Sequence, residues 1–374
     1  MQCEIEFMAV GEGSRAGDAI VVRYGNPTDY KLMVIDGGTA DTGEKLVSHL
    51  KSQFGAHVSL EHVVLTHSDA DHASGLREVL REIPATNVWL HVPWLLAAEV
   101  PHFFKNNWSK EGLSAAIKKE YDIISEIVDL AQAASTTKNI YFPFQGSQIG
   151  PFTVLSPSKE AYLHLLPQFE KTPEPNQQIL EAANMWIGKA APAGLWQQMI
   201  EKAAAKVSNW LPESWSQERL KDGGQTSASN ESSAVLYSDL GDGSRVILTG
   251  DAGVNALTWA INYAKANAYV LQDFRFVQIP HHGSRRNVGP TVLNELIGFP
   301  QLEGSPTRFT AFVSAPKDDD HHPRKIVLNA FIRRGGRVIA TQGSNKVHWG
   351  GFAPRSGYSA AEPLSFSTSV EAYD

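Results

Sequence analysis

The chain of 374 residues is 42% hydrophobic and 20% charged, a balance that suits a packed globular protein and excludes a disordered polyelectrolyte. No apolar run reaches the ~20 residues a bilayer span requires, and Met1–Val10 lacks the basic-then-apolar pattern of a secretory leader, so a soluble, cytoplasmic protein without a membrane partner is expected. The single cysteine, Cys3, excludes an internal disulfide and a thiolate zinc cluster, and a net charge of −7 argues against wholesale adhesion to nucleic acid.

Taken in chain order, Glu4–Val10, Asp18–Tyr24 and Lys31–Ile35 are β-rich, with Gly25-Asn26-Pro27 breaking the second from the third. Leu46, Val47, Leu50 and Phe54 give Asp41–Phe54 helical spacing. His62–Thr66 reads as a compact apolar strand, His72–Arg81 as a helix and Asn87–His91 as a strand. The stripe Ile117, Tyr121, Ile124, Val128 and Ala131 predicts one helix over Ser114–Ala134. Strands are expected again at Asn139–Phe142 and Gln148–Leu155.

From Lys159 to about Gly224 the character changes. This stretch is rich in Ala, Gln, Trp and Pro, with Trp186, Trp196, Trp210 and Trp215 among its aromatics, and predicts a helical insertion closing in a Gly223–Asn230 loop. Strands resume at Ser232–Ser238 and Ser244–Leu248 around Gly241-Asp242-Gly243, a hairpin signature. A helix at Val254–Ala266, a strand at Phe274–Ile279, further alternation to Thr341 and a strand at Lys346–Trp349 follow. The Ser/Ala-rich tail after Arg355 is expected to be partly mobile. Alternating strands and helices without an internal repeat predict a single α/β or mixed layered domain across residues 1–374.

The decisive segment is Thr66-His67-Ser68-Asp69-Ala70-Asp71-His72, set between an apolar strand and a helix. Imidazoles supply neutral nitrogen donors and carboxylates supply the charge that offsets a dication. Without a cation, two aspartates and two histidines crowded together would be costly. A helix-capping role for Asp71 explains one of the four residues and leaves the histidines unexplained. Leu248-Thr249-Gly250-Asp251 places a carboxylate at a second strand tip, and Pro280-His281-His282-Gly283-Ser284 places two imidazoles at a third. Asp318-Asp319-Asp320-His321-His322-Pro323 reads equally as a surface loop or a further donor group.

These segments, in this order, resemble the metallo-β-lactamase fold of hydrolases, and most closely the hydrolase domain of the competence DNA-uptake channel (ComEC-type). That branch also carries Gly17-Asp18-Ala19, Asp36-Gly37-Gly38, Asn230-Glu231-Ser232 and a late His322-Pro323 in this order. The resemblance spans most of the chain outside 159–224. It implies a four-layered αββα sandwich, classed α/β (α+β), with two divalent cations, Zn²⁺ or Mn²⁺, at one edge between the sheets. It further implies that His67 and Asp69 hold the first cation and that Asp71 and His72 hold the second. Asp251 would bridge them, and His282 or His281 would complete the set, His282 being favoured because it precedes glycine. Asp71 would also take a proton or position the water. Asp18 and Asp36 would orient these groups or act in turns. The histidine that the family places between the first loop and the bridging aspartate has no counterpart; His164 lies in the insertion, and Asn230 and Ser232 stand nearest that place.

The function implied is phosphodiester hydrolysis of DNA or RNA. Residues 275–355 carry 12 Lys/Arg against 5 Asp/Glu, leaving 21 against 35 elsewhere. Arg285 and Arg286 directly follow Ser284, and Arg324 and Lys325 follow His322-Pro323, as a phosphate-positioning rim would require. Hydrolysis of a small ester, lactone, thioester or lactam is the alternative, since a fold does not fix a substrate. A third reading is a scaffold with a degenerate metal site, in which the insertion's tryptophans meet a partner protein or a second copy.

Overall fold

In the computed structural model, residues 1–11, 17–187, 210–241, 243–319 and 321–373 are described, with the side chains of 184–187 left aside. The middle of the expected insertion, including Trp196, thus lies outside the described residues, as do Asp242 of the hairpin and Asp320 of the acidic run. The strands, in chain order, are β1 (Gln2–Phe7), β2 (Ala19–Asn26), β3 (Asp29–Gly37), β4 (Leu60–Val64), β5 (Ala85–Trp89), β6 (Asn139–Tyr141), β7 (Gln148–Ile149) and β8 (Phe152–Ser156). There follow β9 (Trp210–Pro212), β10 (Val235–Asp239), β11 (Arg245–Leu248), β12 (Phe276–Gln278), β13 (Phe309–Val313), β14 (Gly336–Ala340), β15 (Lys346–His348) and β16 (Ser369–Glu371).

Two seven-stranded sheets form, ordered β15-β1-β2-β3-β4-β5-β6 and β14-β13-β12-β11-β10-β8-β7. Strands buried on both faces explain how they stack. In β2, Ile20 and Val22 point into the core between the sheets while Ala19 and Val21 point into the helix-facing core. In β13 and β14, Phe312 and Ile339 face inward, whereas Ala311, Val313, Val338 and Ala340 meet the helices on the far side. Period-two alternation with no polar face forces cover on both sides of each sheet. The result is the αββα sandwich.

Each sheet joins an antiparallel part to a parallel part. Strands β3 to β6 run parallel, as do β11 to β14. Crossover helices at Ala40–Phe54 and Ala70–Glu82 cover the first set, and those at Val254–Ala266, Pro290–Ile297 and Lys325–Arg333 cover the second. Loops leaving the carboxyl ends of parallel strands are where such folds gather chemistry.

Three elements differ from the sequence expectation. The stripe over Ser114–Ala134 is two helices, Lys110–Glu120 and Asp122–Ala133, separated at Tyr121 with φ −113° and ψ 53°. Gln148–Leu155 is a hairpin, turned by Gly150 at φ +57°. Asn230-Glu231-Ser232 does not begin a strand; a helical turn spans Ala228–Glu231 and the strand starts at Val235.

The described parts of the expected insertion attach to opposite outer layers. Leu165, Leu166, Phe169 and Leu180 join the helix-facing core of the first sheet, while Leu220 joins that of the second. Trp215 Nε1 donates to the Gln301 carbonyl at 2.9 Å, and Trp210 is half exposed. The chain after Arg355 runs into the fold: Leu364 N donates to Val338 O at 2.8 Å, β16 pairs with β9, and Val370 is fully buried. Among the described residues no helix is long and apolar enough to cross a membrane.

Candidate metal centre

The site is built from strand tips. Asp36, in the last turn of β3 at φ +55°, accepts from Thr66 N and Thr66 Oγ1, both at 2.7 Å, and so pins the loop that leaves β4. Helix Ala70–Glu82 then approaches to backbone contact. A Cβ on Gly75 would fall 1.9 Å from the Gly37 carbonyl oxygen, and one on Gly43 would fall 2.5 Å from Gly75. Only glycines allow the helix start to lie this close to Asp36. Asp69 occupies the N-cap position of that helix yet makes no capping bond; its Oδ1 accepts from Ser229 Oγ at 2.5 Å instead, and Oδ2 lies 3.6 Å from His67 Nε2.

Three imidazoles share one tautomer. His67 Nδ1 donates to Thr66 Oγ1 at 3.0 Å, itself held by its own donation to Asp36. His72 Nδ1 donates to Asp36 Oδ2 at 2.8 Å, and His282 Nδ1 donates to the Ser314 carbonyl at 3.1 Å. In the neutral ring each Nε2 is therefore left with a lone pair, and these converge on Asp251 Oδ2, at 3.9, 3.4 and 3.9 Å for His67, His72 and His282. His67 Nε2, His72 Nε2 and Asp251 Oδ1 are buried without a hydrogen-bond partner. Buried lone pairs facing one another without a donor between them would cost about 1–3 kcal/mol each. A dication is what such a donor set fits.

His281 is held in the opposite sense. Asn230 Nδ2 donates to its Nδ1 at 2.8 Å, so its Nε2, 3.7 Å from Asp251 Oδ2, carries the hydrogen. Asp71, in the first turn of the helix, lies within 4.8 Å of donor atoms on both His72 and His282. Asp18, Asp36 and His72 form a further group of the same tightness.

The electrostatics follow from this crowding. Burial pulls His72 down, but Asp251 and Asp36 outweigh it and hold the ring well above its usual range. Burial likewise pushes Asp251 up, and the facing His281, His72 and His282 override it, leaving the carboxyl well below the carboxylate range. Asp69 is lowered to about 2, His67 outweighing burial. Burial dominates at His282, pushed down to about 4, and at Asp18, pushed up to about 7. The anions of the cluster draw positive charge to the space between them.

The remaining residues singled out in the sequence divide. Asp18 Oδ2 accepts from Gln278 Nε2 at 2.7 Å, and Gln278 Oε1 accepts from Thr249 N and Gly250 N, fixing the turn that carries Asp251. Ser232 is spent inside its own turn, its Oγ donating to Ser229 O at 2.6 Å, and Ser284 Oγ accepts from Arg286 N. His322 stacks parallel to His281, with ring centroids 6.4 Å apart, and its Nδ1 lies 3.3 Å from Asp319 Oδ2. His164 bonds the Glu160 carbonyl of its own helix and packs on Phe103, a structural role. Arg285 donates to the Ala372 carbonyl and lies over the Tyr373 ring, and Lys325 lies over Trp210. Sequence reasoning missed Thr66, Ser229, Gln278 and the Gly17 amide, which donates to His282 Nε2 at 3.3 Å. Of these Thr66 and Gly17 left a trace, as the first residues of the Thr66–His72 segment and of Gly17-Asp18-Ala19.

Residues 13–132 match the family described as the metallo-beta-lactamase superfamily. That stretch, about a third of the chain, is similar to the metallo-beta-lactamase superfamily. The match takes in Asp18, Asp36 and the 66–72 loop and stops short of Asp251. No curated protein matches the chain. Solved structures similar to it include a putative metallo-beta-lactamase from Thermotoga maritima, at 12% identity over 72% of this chain and 86% of that one, with a TM-score of 0.31. A beta-lactamase domain protein from Burkholderia ambifaria is similar at 12% identity over 75% and 67%, with a TM-score of 0.33. The subclass B3 metallo-beta-lactamase MEM-A1 from a soil metagenome library is similar at 18% identity over 40% and 50%, with a TM-score of 0.23, so the chain spans about half of that enzyme.

Proposed function

We propose that the protein is a metal-dependent hydrolase that cleaves phosphodiester bonds of DNA or RNA. The observation that carries the reading is the convergence of three lone-pair imidazoles on the buried Asp251 carboxylate. In this reading His67 and Asp69 would hold one divalent cation, Asp71, His72 and His282 would hold another, and Asp251, grouped with His67 and His72, would serve as a shared ligand. Bound Zn²⁺ or Mn²⁺ would lower the pKa of a water and polarise the scissile centre. Oxygen donors at Asp69 and Asp71 suit Mn²⁺ better than an all-histidine set does.

The protein's own groups supply the rest. In this reading Asp71 would also accept the water's proton, and the Nε2–H left on His281 by its bond with Asn230 would be offered to an oxygen of the substrate. Asp36, through Thr66 and directly at His72, keeps two imidazoles in the ligand tautomer. The phosphodiester substrate rests on the ComEC-type likeness of the 66–72 loop and on the cationic balance of 275–355.

Hydrolysis of a small ester, lactone, thioester or lactam is favoured by one observation. Arg285 and Lys325, two cations expected at a phosphate rim, are engaged by the Tyr373 and Trp210 rings. The deciding experiment supplies single- and double-stranded DNA, RNA and a chromogenic lactam and lactone panel to protein loaded with Mn²⁺ or Zn²⁺. Nucleic-acid cleavage that falls at least ~100-fold in Asp71→Ala is expected. Turnover of the small substrates alone would replace the phosphodiesterase reading, and no turnover of either class would sink the hydrolase.

A further inference from the structure

Three consecutive side chains of one short turn reach three different parts of the centre. Ser229 Oγ donates to Asp69 Oδ1 at 2.5 Å, across 160 residues of sequence. Asn230 Nδ2 donates to His281 Nδ1 at 2.8 Å and to Thr226 Oγ1 at 2.7 Å. Glu231, fully enclosed, accepts from Asn255 N and Ala256 N at 3.3 and 2.7 Å, at the start of the helix that follows Asp251. Gly253 makes room for that carboxylate, since a Cβ there would fall 2.3 Å from Glu231 Oε1.

The turn is itself braced. Ser227 Oγ accepts from Asn230 N at 3.0 Å, Ser232 Oγ closes onto Ser229 O, and Ala234 N donates to Thr66 O at 3.0 Å, tying the turn to the first ligand loop. It also occupies the place in the chain where the sequence lacks a histidine ligand.

We infer that the Ser227–Glu231 turn is the positioning element of the centre, and that Ser229 fixes Asp69 as a one-oxygen ligand of the first cation. The inference rests on reading the cluster as a metal centre. The physical argument concerns freedom. Asp69 is half exposed and forgoes its capping bond, so without Ser229 nothing among the described residues orients the carboxylate except His67. With Oδ1 occupied by the hydroxyl, only Oδ2 faces the imidazole. Ligands held by such outer hydrogen bonds typically bind metal about 10–100-fold more tightly than when the outer partner is removed. Among the described residues the Ser229 hydroxyl bonds Asp69 and not Asp71, His72 or His282, so the second cation should be indifferent to it.

Calorimetric titration of Mn²⁺ into chelator-stripped full-length protein tests this, comparing wild type with Ser229→Ala and Ser229→Thr. Two binding events are expected in the wild type. In Ser229→Ala one dissociation constant should rise about 10–100-fold while the other stays within about threefold, and Ser229→Thr should restore it. Unchanged constants in Ser229→Ala, or equal weakening of both events, would overturn the positioning role and leave the metal centre standing. Absence of any Mn²⁺ binding by the wild type would instead remove the metal centre, and the positioning role with it. A melting temperature for each variant separates local from global loss.

Discussion

At His281 and His282 two adjacent identical side chains meet partners of opposite sense. His282 Nδ1 faces a carbonyl oxygen, which can only accept, whereas His281 Nδ1 faces the Asn230 amide nitrogen, which donates. Both rings lie in one candidate group with Asp251, but a ligand needs its Nε2 lone pair, so in the proposed centre His282 would be the metal donor and His281 would not. Metal analysis of purified variants should therefore find His281→Ala retaining two ions per chain and His282→Ala retaining about one. The reverse pattern would sink the assignment. Glycine after His282 pointed to the same residue in the sequence, for a structural reason: Gly283 lies at φ +80°, and a Cβ there would fall 2.8 Å from Pro323 Cβ. What the sequence could not show is the partner of each ring. Thr66, Ser229 and Gln278 are small or neutral polar residues common anywhere, and nothing in their spacing ties them to groups 30 to 260 positions away.

At the scale of elements, local patterns were legible and breaks in them were not. Helix Val254–Ala266 and the strand tips bearing His67, Asp251 and His282 follow from periodicity and turn residues within a few positions. The division at Tyr121 is invisible, because the apolar stripe continues through it: Ile117, Ile124 and Ala131 are all buried. Tyr121 itself is buried toward the ligand loop, where burial and the nearby Asp69 carboxylate push its hydroxyl well up despite a bond to Ser68, so tertiary contact overrides the helical run. The contact of the 70–82 helix with β3 is the tightest joint of the site. Gly75→Ala would drive a methyl into the Gly37 carbonyl, and a loss of about 3 kcal/mol or more in urea unfolding is expected. A loss under ~1 kcal/mol would show that the helix can shift at little cost.

Across the whole molecule, the last residues hold together segments that the sequence places far apart. Reading the stretch after Arg355 as loose was reasonable from its Ser and Ala content, since strand pairing with a remote partner leaves no local pattern. In the structure Arg355 donates to Glu4 and Glu6 of β1 at 2.9 and 2.6 Å. Val370 is fully buried in the second outer core, and Glu371 accepts from Lys325 N and Ile326 N at the start of helix Lys325–Arg333. The same helix is gripped from its other side, where Arg333 pairs with the buried Glu213 at 3.0 Å, one residue beyond β9. Ending the chain at Pro363 removes β16, the valine and the cap together. Burial of one valine contributes about 1.5–3 kcal/mol and a lost cap costs about 1 kcal/mol, so a destabilisation of about 3 kcal/mol is expected in urea. The truncation also releases Arg285 from the Ala372 carbonyl and the Tyr373 ring without touching a metal-facing side chain. Its Mn²⁺ stoichiometry should match the full chain while its unfolding midpoint falls. An unchanged midpoint would show that the β9–β16 pairing contributes nothing to the fold.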